Sequence, residues 1–449
     1  MIKDIMKFYK GRRVLITGHT GFKGSWMTAV LLMAGAEVTG YALRPDTKPS
    51  LFELLGFDKS EQPDIERAGT DGNTGSSGYT GKLTNVYGDV RDLALLKETF
   101  GKAQPEIVIH MAAQPIVRTS YEDPVTTYET NVMGTVNVLE CCRLTETVKS
   151  IVNVTTDKVY RNLEREAGYR EDEELCGYDP YSNSKSCSEL VSDCYRNSFM
   201  NDLGIALTTM RAGNVIGGGD FAKDRIIPDC VRAAMKGEDI IVRNPYSIRP
   251  YQHVLEPVIC YLLVAAQQYE HPEAEGCYNI GPDDKDAVTT AQIATMFCDC
   301  WNVCAGNASS EDARSESGNA SSEDTRSESG NASSEDARSE AGNASSEDAG
   351  SESGYSVTDD SAAGDGAKSG QAADIRRIKW INKSDGGPHE ANFLKLDCTK
   401  IKKTFGWAPV WNIERAMKEL VRWYAAYAED KDVGSITREQ IGLYIHEMS

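Results

Sequence analysis

Val14-Leu15-Ile16-Thr17-Gly18-His19-Thr20-Gly21-Phe22-Lys23-Gly24-Ser25 decides how the chain is read. An apolar run meets three glycines spaced three apart, and helix-compatible residues follow from Trp26 to Leu32. That order spells strand, tight turn, helix. Glycine lets the backbone turn sharply and lets a pyrophosphate approach the N–H groups at a helix N-terminus, where the dipole favours negative charge. An ordinary strand–helix turn also uses glycine. This one sits in the first βα unit, ahead of a second strand from Glu37 to Leu43, and that context predicts a dinucleotide site.

The other strands and helices alternate. Ile107–His110 is a short buried-type strand, Asn131 to Leu144 a helix and Ser150–Val154 another strand. Ser182 to Met200 reads as a helix and Ala206 to Met210 as a further strand. Alternation of this kind implies parallel strands with crossover helices, so the expected fold class is α/β, a Rossmann-type doubly wound parallel sheet. In such sheets ligands sit at the carboxyl ends of strands, where His19, Asp89, Gln114, Thr156 and Asn214 fall. The second strand ends in Ala42-Leu43-Arg44-Pro45-Asp46, so Arg44 stands where a ribose-binding acid is expected. Arg44 suits a 2′-phosphate, and the choice between NAD and NADP stays open on this residue.

Composition bounds the rest. A chain of 449 residues buries a large core and is expected to form two domains. We place the dinucleotide-binding domain at 1–212, with 250–278 returning to it, and a smaller α/β substrate-binding domain at 213–249 and 279–449. No long apolar run is present, and the first residues lack an apolar leader core, so neither a membrane partner nor export is expected. The 12 cysteines are scattered, as in reduced proteins of the cytoplasm, and Cys141-Cys142 reads as part of a helix. Cys298, Cys300 and Cys304 crowd together, but no second cluster completes a metal site and none is assigned. A net charge of -20 argues against nucleic acid as partner.

Much of that charge lies in a repeat. A twelve-residue unit recurs four times, at Gly306–Ser317, Gly318–Ser329, Gly330–Ala341 and Gly342–Ser353. Three copies carry -2 and the last, lacking arginine, -3, so the repeat holds -9 of the -20. It offers no aromatic residue and, apart from Thr325, no β-branched one, too little to offset chain entropy. Residues 305–373 therefore read as a disordered acidic insertion in a surface loop. Its Asn-Ala-Ser sequons at Asn307, Asn319, Asn331 and Asn343 read as incidental. A second loop is expected over Ala68 to Lys82, rich in Gly, Ser and Thr.

Chemistry enters with Thr155-Thr156-Asp157-Lys158 and Tyr181-Ser182-Asn183-Ser184-Lys185. Tyr181 and Lys185 are four apart and share one helix face. An ammonium near a phenol stabilises tyrosinate and makes the phenol a usable proton acceptor. Thr156, at a strand end, can hydrogen-bond the same hydroxyl. With 20 tyrosines the Y-x-x-x-K spacing alone says little, and a surface pair would satisfy it. After a glycine-rich nucleotide turn and a Thr-Asp strand end it reads as a catalytic dyad.

At these residues the chain resembles the extended short-chain dehydrogenase/reductase family and, within it, the nucleotide-sugar 4,6-dehydratases. The likeness runs through Thr17–Trp26, Pro49-Ser50-Leu51-Phe52-Glu53, His110-Met111-Ala112-Ala113-Gln114-Pro115 and Asn131-Val132-Met133-Gly134-Thr135. It continues through Ala212–Asp220, Arg243–Pro250, Pro388-His389-Glu390 and Leu394-Lys395-Leu396-Asp397, leaving out only the two insertions. The dTDP-glucose branch is expected to carry Asp-Glu after the threonine. Asp157-Lys158 instead is similar to the CDP-sugar branch.

The resemblance implies an internal redox cycle. Tyr181, helped by Thr156 and Lys185, would take the sugar C4-hydroxyl proton as hydride passes to the nicotinamide. The new ketone acidifies C5, whose proton Lys158 would remove while Asp157 protonates the departing C6 hydroxyl. The hydride then returns to C6, leaving a 4-keto-6-deoxy sugar. A structural salt pair is the plainer reading of Asp157 and Lys158. By the same resemblance Gly18, Thr20, Gly21, Phe22, Lys23 and Gly24 would hold the dinucleotide phosphates. Asp89 and Val90 would contact adenine, and Ala112, Ala113 and Gln114 would wall the cofactor site. Asn131 would brace its backbone. Asn214, Arg225 and Arg249 would hold the substrate diphosphate, for which planar guanidinium donors are suited. His253 and His389 would line the nucleotide pocket or simply pack. A homodimer or homotetramer is implied. Two other readings remain: a 4-epimerase, which needs only Tyr181 and the redox shuttle, and a non-catalytic dinucleotide sensor with the acidic repeat as partner tail.

Overall fold

Seven strands form the centre of the fold: β1 (Arg13–Thr17), β2 (Glu37–Ala42), β3 (Lys82–Tyr87), β4 (Ile107–His110), β5 (Ser150–Val154), β6 (Ala206–Ala212) and β7 (Cys277–Ile280). They lie side by side in the order β7-β6-β5-β4-β1-β2-β3, every pair parallel. The α/β doubly wound expectation therefore holds. The computed structural model describes residues 2–61, 78–304, 377–383 and 393–448. Residues 1–307 and 376–449 gather into one unit. The acidic repeat lies outside the described residues.

The apolar character of β4, β5 and β6 follows from burial on both faces. Val14, Ile16, Ile109 and Val152 join one core, whereas Leu15, Val108 and Ile151 join the other, as a period of two demands. The first core is covered by α1 (Phe22–Met33) and, further on, by α5 (Leu255–Glu270). The second is covered by α2 (Leu93–Ala103) and α3 (Gly134–Arg143). Cys141 and Cys142 are buried in α3, and all twelve cysteines are free. The helix α4 (Pro180–Tyr195) starts with proline at its first turn, and Asp179 caps it by accepting from the Ser182 N–H at 2.9 Å.

Beyond β6, among the described residues, three two-stranded ribbons and four further helices of eleven residues or more, with the short helix Thr399–Phe405, complete the unit. Val215–Ile216 pairs with Gln252–His253, Ile248–Pro250 with Ala287–Thr289, and Ile240–Val242 with Trp380–Asn382. The longer helices are Ile226–Lys236, Thr290–Cys304, Ile413–Ala428 and Val433–Glu447, the last packing against α1.

Several boundaries differ from the sequence reading. The helix expected from Asn131 opens instead with a wide π turn at Glu129–Met133, and α3 begins at Gly134. A second π turn, Arg196–Met200, ends α4, and α1 starts at Phe22, four residues ahead of Trp26. Of the loop expected over Ala68 to Lys82, Lys82 opens β3, and the part up to residue 77 lies outside the described residues.

Candidate active site

The turn between β1 and α1 is shaped by close backbone approach. Gly18 has φ +78°, and a Cβ there would lie 2.8 Å from the Ala112 nitrogen. A Cβ on Gly24 would lie 2.1 Å from the Gly18 carbonyl oxygen. Gly21 precedes the first turn of α1, and no side chain caps that helix end. Its leading N–H groups thus face the crevice beside β4, where the strand order reverses, and form a ready-made anion cradle.

Around the cradle, Thr20 Oγ1 donates to the Leu43 carbonyl at 2.8 Å, tying the turn to the end of β2. Arg44 is exposed, its guanidinium 4.1 Å from the Tyr87 ring centre. Asp89 pairs with Arg91 at 2.7 Å, and Val90 is buried against Gly134. Gln114 folds into its own loop, donating to Thr127 Oγ1 at 2.9 Å. Asn131, fully buried on the π turn, accepts from the Gln114 N–H at 2.8 Å and donates to Ser184 Oγ at 2.9 Å. It joins the loop after β4 to α4. His19 is packed under the turn, its Nε2 3.0 Å from Asn85 Oδ1, and burial pushes its pKa down to about 4. A Cβ on Gly40 would meet its ring at 2.2 Å, which requires glycine in the middle of β2.

The reactive cluster stands at the carboxyl end of β5. Thr156 leads a single 3-10 turn, Asp157–Val159, that turns Asp157 inward until it is fully buried. Thr156 Oγ1 donates to Asp157 Oδ1 at 2.9 Å, and Lys158 Nζ reaches the same oxygen at 2.9 Å. Lys158 Nζ also lies 3.5 Å from Asn214 Oδ1. The other carboxylate oxygen, Asp157 Oδ2, is buried without a hydrogen-bond partner. Tyr181, in the first turn of α4, feels the Thr156 hydroxyl, which pulls its pKa down.

One turn later, Lys185 is buried and donates to the Val154 carbonyl at 3.1 Å. Burial lowers its pKa to about 8, opposed by the carboxylate of Glu189. The Tyr181 phenol stands above its ordinary value because burial outweighs the pull of Lys158 and of the Thr156 hydroxyl. The cations that draw on the phenol include Lys158 and Arg225. Lys23, on α1, is lowered to about 7, first by burial and then by Arg225 and Lys185. Lys23, Lys158, Lys185 and Arg225 thus act on one another and on Asp157 in the crevice, a basic environment that favours anionic ligands.

Behind this cluster runs a buried frame that the sequence reading missed. Glu189 accepts from Thr155 Oγ1, from Thr209 Oγ1 at 2.6 Å and from Arg211 at 2.9 Å. Arg211 donates to the Tyr160 hydroxyl at 2.8 Å, and Tyr160 donates to Asn279 Oδ1 at 2.6 Å. Three segments that carry reactive residues are thereby locked together: the turn after β5, helix α4 and the end of β6. Two signals were available. Glu189 follows Lys185 by four on the same helix face, and Arg211 interrupts an apolar strand, where a buried charge needs a partner.

The residues expected on the substrate side divide. Asn214 joins the cluster through Lys158. Arg225 caps Ile226–Lys236 and pairs with Asp220 at 3.1 Å. Arg249 is buried on its ribbon and donates to the Ile248 carbonyl at 3.0 Å. His253 is not brought to the cluster: it is fully buried, with the Trp411 ring at 4.8 Å and Trp26 at 5.8 Å, and burial pushes its pKa down to about 3. His389 lies outside the described residues. Among the described residues no His, Cys, Asp and Glu cluster has metal-site geometry, and no helix is long and apolar enough to cross a membrane.

A doubly wound sheet with a glycine-rich first turn and a Tyr-Lys helix beside a Thr-Asp-Lys strand end has the layout of a dinucleotide-dependent enzyme. Residues 15–280 match the family described as GDP-mannose 4,6 dehydratase, and the chain belongs to that family. Over 444 residues it is 37% identical to the CDP-glucose 4,6-dehydratase of Salmonella typhimurium, covering 98% of this chain and 97% of that protein. It is 30% identical to a dTDP-glucose 4,6-dehydratase of Streptomyces antibioticus, over 57% of this chain and 68% of that one. Among solved structures, a dTDP-glucose 4,6-dehydratase of Bacillus anthracis in complex with NAD superposes with a TM-score of 0.61 at 17% identity, covering 94% of this chain and 99% of that one. An epimerase of Methanothermobacter thermautotrophicus superposes at 0.63 with 18% identity, covering 96% of each chain. These two show the shared fold.

Proposed function

We propose that the chain converts CDP-D-glucose to CDP-4-keto-6-deoxy-D-glucose with NAD, in the cytoplasm, as a step toward a deoxysugar. The observation that carries this reading is the hydrogen-bonded Thr156–Asp157–Lys158 turn at the end of β5, whose Lys158 and Thr156 act on the Tyr181 phenol. A 4-epimerase needs Tyr181 alone, whereas an acid and a base beside it serve an elimination.

The residues present fit a nicotinamide dinucleotide. Gly18 and Gly24 let the turn close against its own backbone and the loop after β4, where a Cβ would clash. The start of α1 supplies N–H donors, and Lys23 adds charge. In this reading 1–212 with 250–278 holds the dinucleotide, and 213–249 with 279–449 the nucleotide sugar. NAD rather than NADP is our choice because Arg44 lies over the Tyr87 ring and the related dTDP-glucose enzyme is an NAD complex. The chemistry such a group would supply there is reversible two-electron redox toward the sugar.

The protein's own groups move the protons. Tyr181 takes the C4-hydroxyl proton, its anion supported by Lys158, Arg225 and the Thr156 hydroxyl. Moving one proton along the 2.9 Å Lys158–Asp157 contact turns the ion pair into a free amine beside a carboxylic acid, the forms an elimination needs. Lys158 then removes the C5 proton while Asp157 protonates the C6 oxygen that leaves as water. Asn214 steers Lys158. Arg225 and Arg249 hold the diphosphate. Exposed apolar side chains near α3 and α4, Val125, Met133 and Leu190, support association of two chains.

The test is incubation of the purified protein with CDP-, dTDP-, UDP- or GDP-glucose and NAD or NADP, assaying 4-keto-6-deoxy product. The expected substrate is CDP-glucose with NAD. Accumulation of a 4-epimer without ketosugar, or no turnover of any of the four, overturns the reading.

A further inference from the structure

We propose that Ser186 is a positioning residue that sets where the Asp157–Lys158 pair stands against α4, and so governs the elimination rather than the oxidation before it. The inference rests on the dehydratase reading and adds to it the group that couples its two reactive elements.

The chemistry is divided between two pieces of backbone. Tyr181 and Lys185 both lie on α4 and travel together. Asp157 and Lys158 lie on a single 3-10 turn, too short to fix its own position. Upstream, the chain entering that turn is anchored to α4 twice. Lys185 Nζ donates to the Val154 carbonyl at 3.1 Å, and Thr155 Oγ1 donates to Glu189. Downstream, the chain leaves on an excursion from Tyr160 to Cys176 and comes back to α4 through Gly177, Tyr178 and Asp179. Without an anchor at the neck of that excursion, the turn would be tied to the helix from one side only.

Ser186 supplies that anchor. Its Oγ donates to the Val159 carbonyl at 2.7 Å and accepts from the Gly177 N–H at 3.0 Å. The same carbonyl accepts from the Cys176 N–H at 2.9 Å, so both ends of the excursion and the helix meet at one hydroxyl. The Ser182 carbonyl, at 3.1 Å, competes for its proton from one turn back, as is usual for serine inside a helix. Ser186 and Val159 are both buried, which shields the bond from water. Gly177 fits the same contact: a Cβ there would lie 2.3 Å from the Ser182 carbonyl carbon, so the neck rests directly on the helix backbone. Tyr160 is held as well, but through its hydroxyl at the far end of the ring, by Arg211 and Asn279. Ser186→Ala therefore frees the downstream end of the turn from α4 while both upstream anchors stay. The start of α4 keeps its Asp179 cap, and Asn183 Nδ2 still donates to the Gly177 carbonyl at 3.2 Å, so Tyr181 keeps its place. Misplacing Lys158 on the scale of an ångström is enough to slow proton removal at C5 by up to about a hundredfold.

The experiment mixes wild type, Ser186→Ala and Ser186→Thr with NAD and the substrate that wild type turns over, and follows a single turnover by two signals. Near-ultraviolet absorbance reads reduction of the dinucleotide, and acid quench reads ketosugar. We expect Ser186→Ala to reduce the dinucleotide within about twofold of the wild-type rate but to form ketosugar at least roughly tenfold more slowly. Reduced dinucleotide should therefore accumulate. Ser186→Thr keeps the hydroxyl and should form ketosugar faster than alanine does. Amide hydrogen exchange of the protein without substrate adds a readout apart from turnover. In the alanine variant Asp157–Val159 and Gly177 should exchange faster, and β5 should exchange as in wild type. Three results overturn the proposal: an alanine variant whose two signals slow alike or not at all, whatever its melting temperature; unchanged exchange at Asp157–Val159; or a threonine variant no faster than alanine. Should alanine fail to fold, Ser186→Cys, which keeps the volume and only a weak donor, carries the same comparison. Wild type that forms no ketosugar overturns instead the dehydratase reading beneath it.

Discussion

The two ends of the crevice are held by different physics. At the dinucleotide end the shape is made of backbone: Gly18 and Gly24 allow approaches that any side chain would block, and the donors are N–H groups of α1. At the sugar end the shape is made of side chains, with Thr156, Asp157 and Lys158 bonded in series, acting on the Tyr181 phenol and backed by the Glu189–Arg211 pair. The first end is shaped mainly by backbone sterics, so damage there should appear as lost binding and lost stability. The second is electrostatic, so damage there should appear as lost chemistry and altered pH dependence.

Tyr181→Phe should separate the ends most sharply. It removes one hydroxyl from a partly buried side chain and leaves the ring. Ketosugar formation should fall by roughly 10²–10⁴-fold or more, with dinucleotide affinity within about twofold of wild type. Steady-state product assays alongside a fluorescence titration with NAD read the two quantities. Turnover near the wild-type rate would remove Tyr181 from proton transfer and with it the division drawn above.

Glu189→Gln tests whether the sugar end depends on charge held behind it. Arg211 and Glu189 are each 3% exposed, and the substitution leaves the guanidinium buried with a neutral partner. Breaking such a pair costs roughly 3–5 kcal/mol, which a thermal melt will show as a clear drop. The pH profile carries the finer information. Lys185 sits at about 8, lowered by burial and raised by Glu189, so its cation is present below that value and lost as pH rises through it. Without the carboxylate the lysine loses its proton earlier, and the alkaline limb of kcat should move to lower pH, by roughly one unit. A melt that falls while the profile stays fixed would reduce Glu189 to a packing role.

How much of each end was legible in the sequence follows from the same contrast. The cradle is local: strand, glycines and helix are consecutive, and their spacing states their geometry. The Tyr181–Lys185 spacing is local too, and β4 and β5 could be bounded from apolar runs buried on both faces. The frame behind the sugar end is not local. Glu189 meets Thr155, Thr209 and Arg211 across three elements, and only parallel pairing of β5 with β6 brings them together. His253 was ambiguous for the same reason, since a histidine between Trp26 and Trp411 and one lining a pocket look alike in one dimension. The π turns at Glu129–Met133 and Arg196–Met200 sit inside helical periodicity and leave it nearly intact, so the pattern read through them.

Gly24→Ala probes the steric end and is expected to have the smallest effect of the three. The added methyl would begin 2.1 Å from the Gly18 carbonyl oxygen and 2.7 Å from the His19 Cα, both backbone atoms that a rotamer change cannot move. Helix α1 must therefore shift away from the turn. Overpacking of this kind costs roughly 1–3 kcal/mol. The shift also tilts the N–H donors at the start of α1 away from the place of the pyrophosphate, so NAD affinity should fall further than stability does. The cluster at β5 stands on different elements and keeps its geometry. With dinucleotide supplied at saturation, kcat should recover to within a few-fold of wild type, and the alkaline limb of the pH profile should stay in place. A variant that binds NAD normally but has lost kcat would show that the two ends are coupled through α1.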